Sequence, residues 1–398
     1  MTDLKYWLWL TLSMKQNSRK ITGLLERFES PLEVYRAQET DFHDIHLTHA
    51  EKRQLCNKNL SAAETVMEQC RKRGVRIMTI DSPYYPQLLA NIFDPPYVLY
   101  VKSRERMDLN RELAIAVVGT RDMTAYGREA AKEIAGGLAR AGATVVSGMA
   151  RGIDGAAMTA ALNNGGKVVA VLGNGLDIVY PPEHAELMER TAENGMVLSE
   201  YPFGSPPYPA HFPVRNRIIS GLSSGTVVIE SPEAGGSLIT ANQALEQGRD
   251  VFSVPGDINR PYSDGTNELI RQGAHLVSSA LDILTEYQEE YIHIFDNAVN
   301  NEHDIKNKRE TLSQRNMSAD SKTTEVLPSL PSVDNAVYRA LPPEEKAIVD
   351  ALSLVPSHVD TLAEKTGLDV SKLNASLTLL EMKGLVTQLA GRHYILNI

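Results

Sequence analysis

Arginine and glycine recur together in a few short segments of this chain, and the chemistry they share is anion binding. Gly119-Thr120-Arg121 is followed by Thr124, Tyr126 and Gly127, and a second segment reads Ser147-Gly148-Met149-Ala150-Arg151-Gly152-Ile153-Asp154. A third is Gly173-Asn174-Gly175-Leu176-Asp177, and Arg215-Asn216-Arg217 follows a proline-rich stretch at 202–213 and opens a helix. Ala234-Gly235-Gly236-Ser237-Leu238-Ile239-Thr240 leads into another helix, and Lys167 stands immediately before an apolar run. Glycine lets a backbone approach a ligand closely, and the N–H groups at helix starts attract negative charge. Several donor-bearing segments at one edge suit a chain of phosphates better than a single mononucleotide.

Each cation also has a structural use. Arg121 has Asp122 beside it, Arg215 and Arg217 have Glu200 and Glu230 as ion-pair partners, and Lys167 can simply mark an exposed strand start. Their convergence on one sheet edge favours the binding role. Asp154, Asp177 and Glu200 are the carboxylates available for catalysis, but helix capping and orientation of the arginines fit them better. No histidine or cysteine nucleophile sits in these loops, no histidine pair has metal-ligand spacing, and neither G-x-G-x-x-G after the first strand nor G-x-x-x-x-G-K-[ST] occurs. The expectation is a binding protein without catalytic residues, metal or cofactor.

The elements that position these loops are strands and helices in alternation. Apolar runs at 114–118, 143–146, 168–172, 226–229 and 250–254 read as strands buried on both faces, and helices fit 129–141 and 240–247. Alternation of this kind predicts an α/β fold with a doubly wound parallel sheet, in which ligands bind at the carboxyl ends of the strands. Residues 1–75 read as a small helical module, on patterns such as Ile21, Leu24, Leu25, Phe28, and residues 76–288 carry the sheet. Residues 289–335, rich in Asn, Glu, Lys and Ser, read as a flexible linker. From 336 to 398, helices at 343–354, 358–366 and 370–383 and a hairpin of 386–389 with 393–396 predict a winged helix.

The chain has 398 residues, 42% hydrophobic and 23% charged, with a net charge of −10, so any nucleic-acid site is a local cluster in an acidic exterior. Two cysteines without metal spacing, no apolar run of membrane length and no secretory pattern point to a cytoplasmic protein.

The loop segments, together with Tyr180-Pro181, Phe212-Pro213-Val214-Arg215-Asn216-Arg217-Ile218-Ile219-Ser220-Gly221-Leu222, Ser237-Leu238-Ile239-Thr240-Ala241, Val254-Pro255-Gly256, Gly265-Thr266-Asn267 and Gln272-Gly273-Ala274, strongly resemble the DNA-processing protein A family, also called DprA or Smf. The resemblance covers roughly residues 80–285. It implies an extended Rossmann fold, flanked here by a SAM- or helix-hairpin-helix-like N-terminal module and a winged helix. It further implies binding of single-stranded DNA, delivery of that DNA to the RecA recombinase during natural transformation, and a homodimer joined through the Rossmann domain. The family's DNA pocket maps onto Gly119, Arg121, Ser147, Gly148, Arg151, Lys167, Arg215 and Arg217, Arg121 and Lys167 foremost, and Thr120, Asn216 and Ser237 lie within the same segments. Two positions depart from the pattern, Met158 in place of a histidine and Gly235 in place of a serine, which removes one hydroxyl. The N-terminal module also lacks the Gly-x-Gly hairpin of helix-hairpin-helix DNA binders.

Two other classes compete. Gly235-Gly236-Ser237-Leu238 loosely resembles the glycine-rich loop of nucleoside-monophosphate phosphoribohydrolases, but the first acid in the following helix is Glu246, about two turns in. A transcription regulator acting through the winged tail is the other, although its presumed recognition helix offers few base readers beyond Lys372 and Asn374.

Overall fold

The computed structural model describes residues 3–300, 341–352, 357–383, 385–389 and 393–396. The chain divides into two compact units, 1–311 and 312–398.

The first unit opens with five helices, α1 (Leu4–Ser13), α2 (Ser18–Phe28), α3 (Pro31–Arg36), α4 (His49–Cys56) and α5 (Ser61–Lys72). Ser30 caps α3 with Pro31 in its first turn, and Thr48 caps α4 in a reciprocal capping box with Glu51. These helices do not stand apart. Trp7 donates from Nε1 to Asp81 at 3.1 Å and stacks on Tyr97 at 5.6 Å, and Leu8, Leu10, Ile21 and Leu24 belong to the same core as the sheet.

The sheet has nine strands, β1 (Arg76–Thr79), β2 (Val98–Lys102), β3 (Ala114–Val118), β4 (Thr144–Ser147), β5 (Val168–Leu172), β6 (Gly195–Ser199), β7 (Gly225–Val228), β8 (Asp250–Ser253) and β9 (His275–Leu276), in the order β1-β2-β6-β5-β4-β3-β7-β8-β9. All neighbours from β6 to β9 pair in parallel, while β1 and β2 add an antiparallel extension beyond β6. Sequence reading missed β1, β2, β6 and β9. Gly195-Met196-Val197-Leu198-Ser199 is short and begins directly at the end of a helix, so nothing local separates it from that helix.

Between the strands lie α6 (Gln87–Ala90), α7 (Ala125–Ala141), α8 (Ile153–Asn163), α9 (Ala185–Asn194), α10 (His211–Gly221), α11 (Gly236–Glu246), α12 (Asp264–Arg271) and α13 (Ala280–Thr285). They cover both faces, which is why the strands are apolar throughout. Ile115 and Val117 of β3 pack in one core with Ile134 and Leu138 of α7, while Ala114, Ala116 and Val118 pack in the other with Ile218 of α10 and Ala241 of α11. The strand order reverses direction at β3, with β4 on one side and β7 on the other, so a crevice opens at their carboxyl ends.

The expected flexible linker does not begin at 289. Residues 292–300 are helical, with Ile294 and Ala298 buried in the core, because an apolar pair at helical spacing survives in that polar stretch. Residues 301–340 lie outside the described residues. The second unit shows helices Pro343–Ala351, Val359–Thr366 and Val370–Met382, and a sheet in which His393–Leu396 lies between Ser357–His358 and Val386–Leu389. Three helices and this small sheet around Ile348, Leu362, Leu373, Leu377 and Val386 make a winged helix.

Candidate nucleic-acid site

The loop after β3 is tied down from two sides. Thr120 donates its N–H to the Glu230 carbonyl at 2.8 Å, and Ile153 at the start of α8 donates to the Thr120 carbonyl at 3.1 Å. Gly152 has φ +74°, and a Cβ there would lie 2.3 Å from the Thr120 oxygen, so the loop after β4 must carry glycine to sit against the loop after β3. Gly119 is equally constrained, since a Cβ would meet the Ile153 side chain at 2.5 Å. The buried Glu230 accepts from the Thr124 N–H at 2.9 Å and hydroxyl at 2.5 Å, fixing the start of α7 rather than pairing with an arginine.

At this edge lies a cavity of about 520 Å³ bounded by the loops after β3, β4 and β7 and the starts of α10 and α11. Gly119, Thr120, Arg121, Arg215, Asn216 and Ser237 line it. Arg121 is exposed, makes no ion pair among the described residues, and lies over the Phe212 ring at 5.3 Å. Its neighbour Asp122 is not its partner. Tyr180 sits against Phe212 at 5.5 Å between ring centres, so two aromatic rings adjoin the free guanidinium. Across the cavity α11 begins without any side-chain cap on Gly235, leaving its first turn turned to the lining.

Arg215 forms the floor. It is buried, donating from Nη1 to the carbonyl of Gly148 at 2.8 Å and to that of Val171, and from Nε to Asn216 at 3.2 Å. Burial pushes its guanidinium down to about 10 against the pull of Asp154. Burial likewise raises Asp154, although Arg215 and the N–H groups of Gly148 and Ala150 stabilise its charged form. Gly148 is required beneath this pair, because a Cβ would lie 2.6 Å from Arg215 Nη2 and 2.8 Å from Asp154 Oδ2. Asp177 accepts from the Gly204 N–H at 3.0 Å and Glu200 holds Arg217, so the three candidate catalytic acids all have structural partners.

Three expected contact residues are placed elsewhere. Lys167 precedes β5 and therefore stands at the amino end of the sheet, opposite the cavity, ion-paired with Glu112. Arg217 projects from α10 away from the cavity and is buried against Glu200 at 2.7 Å and Asp94 at 3.1 Å. Burial opposes its charge, but these two carboxylates outweigh it and raise the guanidinium above its ordinary value. Ser147 is fully buried and donates its hydroxyl to the Val117 carbonyl at 2.7 Å. Arg151 is exposed nearby, bonded to Glu183 through Nε and, at 3.1 Å, through Nη2.

Both departures from the family pattern have a local account. Met158 is fully buried in the apolar core. Glycine is required at 235, because a Cβ there would lie 2.1 Å from Ser231 Oγ, which accepts from Ser237 Oγ at 2.8 Å. Phe212 and Tyr180 were absent from the expected contact set, although an aromatic three residues before Arg215 was a readable signal.

Residues 76–288 match the family model for DNA recombination-mediator protein A, and residues 334–392 match the DprA winged-helix domain. The chain is 43% identical over 224 residues to the DNA processing protein DprA of Bacillus subtilis, covering 56% of this chain and 75% of that one. Protein Smf of Synechocystis is 36% identical over 339 residues, 82% of each chain. The crystal structure of DNA processing protein A from Streptococcus pneumoniae superposes with a TM-score of 0.63 at 34% identity, covering 70% of this chain and 97% of that one. With that family model spanning more than half of its residues, the chain belongs to the DNA recombination-mediator protein A family, the DprA or Smf proteins.

Proposed function

We propose that the cavity at the carboxyl ends of the strands binds single-stranded DNA and performs no catalysis on it. Arg121 carries this reading. An exposed guanidinium with no ion-pair partner among the described residues, lying on an aromatic ring beside an uncapped helix start, presents charge to a phosphate and a flat face to an unstacked base. A cavity of about 520 Å³ between strand-end loops suits one backbone with its unstacked bases better than a duplex. The acids that a ribose-cleaving enzyme needs are held by backbone N–H groups or by a buried arginine. In this reading the protein shields incoming single strands and delivers them to the RecA recombinase during natural transformation, acting in the cytoplasm as a homodimer whose two sites raise avidity. The DNA-binding unit is taken as residues 76–288, with the helices of 1–75 buttressing it and the winged helix of 336–398 serving protein contacts.

The test is a binding comparison of single-stranded DNA, duplex DNA and free nucleotides, with nucleoside monophosphates also assayed for released base. Single strands bind tightest and no base is released. Preference for duplex, or base release, overturns the assignment. Sedimentation as a monomer at micromolar concentration, with and without DNA, overturns the dimer.

A further inference from the structure

A second concavity lies just outside the strand-end pocket, between α7, α8 and α9, with a volume of about 660 Å³. Its floor is the outer face of α8, where Gly155, Ala156 and Thr159 leave the surface low. Three cations stand around it, Arg128 and Lys132 on α7 and Arg190 on α9. Arg128 makes no ion pair among the described residues. Among the described residues the Arg190 guanidinium bonds only the neutral amide oxygen of Asn163, at 2.7 Å, and Lys132 pairs with Glu129 on its own exposed turn. Apart from Glu183, which Arg151 neutralises, the lining carboxylate is Glu186. In a chain of net charge −10, a concavity with this excess of cations stands out.

The two concavities meet at one ion pair. Arg151 lines the inner recess of the strand-end pocket beside Arg121 and Tyr180, and its partner Glu183 lines the α7–α9 trench. Gly152, the next residue, also lines the trench. Both partners of this pair are exposed, so it contributes little to the fold and its arginine can exchange carboxylate for phosphate.

We propose that single-stranded DNA leaving the strand-end pocket crosses the Arg151–Glu183 pair and continues along the α7–α9 trench, its phosphates held by Arg128, Lys132 and Arg190. This rests on the reading of the pocket as a single-strand site. The ligand of the trench is the sugar–phosphate backbone alone. Its floor is small, of glycine, alanine, threonine and asparagine, and its ring is His184, tied to the Met149 carbonyl at 3.0 Å, without the phenylalanine and tyrosine platforms of the pocket, so contacts there are largely independent of base identity.

Arg128→Ala, Lys132→Ala and Arg190→Ala are combined in the full chain and titrated against two oligothymidylates, one of about 6 nucleotides that the pocket alone accommodates and one of about 16 that reaches beyond it. The expected result is unchanged affinity for the short strand. For the long strand, affinity falls and the slope of log affinity against log salt decreases by about 2, since three phosphate contacts on single-stranded DNA contribute about 0.7 each. Equal long-strand affinity and slope in variant and wild type overturn the trench while leaving the pocket standing. Equal losses for both lengths overturn it too, because they place the three residues within the pocket's own reach. If the wild type binds neither strand, or Arg121→Ala binds both as the wild type does, the pocket reading fails first. The three side chains touch the surface, so a melting temperature shared by variant and wild type accompanies the titration.

Discussion

The two ends of the central sheet handle cations in opposite ways. At the amino end Lys167 finds Glu112, and the Thr144 hydroxyl donates to the same carboxylate at 3.2 Å, so charge and hydrogen-bonding capacity are matched within the protein. At the carboxyl end Arg121 makes no ion pair among the described residues, and a ring rather than an acid lies beneath it. Position along a strand is therefore not enough to make a cation part of a site. Arg217 stands at the same end as Arg121 and is still consumed by the fold, locked between Glu200 and Asp94 and in reach of the Ser18 hydroxyl at 3.4 Å. What separates a cation free to meet phosphate from scaffold is whether the fold supplies a buried or half-buried counter-charge, as Glu200 and Glu112 are and the exposed Glu129 and Glu183 are not.

The largest effect expected from breaking this contrast is on stability. Arg217→Ala leaves Glu200 buried without its partner, which costs about 3–5 kcal/mol. Replacing both Arg217 and Glu200 by methionine recovers most of it, because the buried carboxylate goes with its partner and the one left behind, Asp94, is partly open to water. Chemical denaturation of the full chain measures both, and a loss below about 1 kcal/mol for Arg217→Ala shows that the pair does not hold α10 in place.

Within the site, Phe212→Ala removes the ring beneath Arg121. A base stacked there loses about 1–3 kcal/mol, weakening single-strand affinity by roughly 5- to 150-fold without altering the salt slope, since no charge is lost. Arg121→Ala acts the other way. It weakens binding about tenfold, or about 1.4 kcal/mol, for all sequences alike and lowers the salt slope by about 0.7. Because Arg121 holds no ion pair among the described residues, the melting temperature stays put. A stable Arg121→Ala protein with wild-type affinity and slope removes the pocket from consideration.

The sequence made the sheet legible where its strands are apolar throughout and followed by glycine, as at 114–118 and 168–172, because burial on both faces leaves a continuous apolar signature. It hid the antiparallel extension: Arg76–Thr79 is short and mixed in polarity, and Val98–Lys102, as long as Ala114–Val118 and apolar up to Lys102, is followed by no glycine loop. Gly119, Thr120, Arg121, Arg215, Asn216 and Ser237 were readable as one lining because loops at the same ends of parallel strands must converge. Which of the arginines meets solvent was not readable. Arg215 and Arg217 are two residues apart on one helix, about 200° around its axis, so one faces the cavity floor and the other faces Asp94. The same limit applies to Ser147, whose hydroxyl turns back into the sheet.

The smallest expected effect is the most discriminating. Family resemblance places Lys167 among the foremost DNA contacts, whereas the fold puts it at the far end of β5. Lys167→Ala removes one exposed partner of an ion pair and leaves Glu112 still accepting from Thr144, so stability changes by no more than about 1 kcal/mol. No phosphate held at the strand-end cavity feels the loss directly, and screening at physiological salt suppresses interactions beyond about 8 Å. Affinity for single strands and the salt slope therefore stay at wild-type values in the same titration that shows Arg121→Ala losing about 0.7. A matching loss for Lys167→Ala means that the strand reaches the amino end of the sheet, and the contrast between the two ends no longer defines the site.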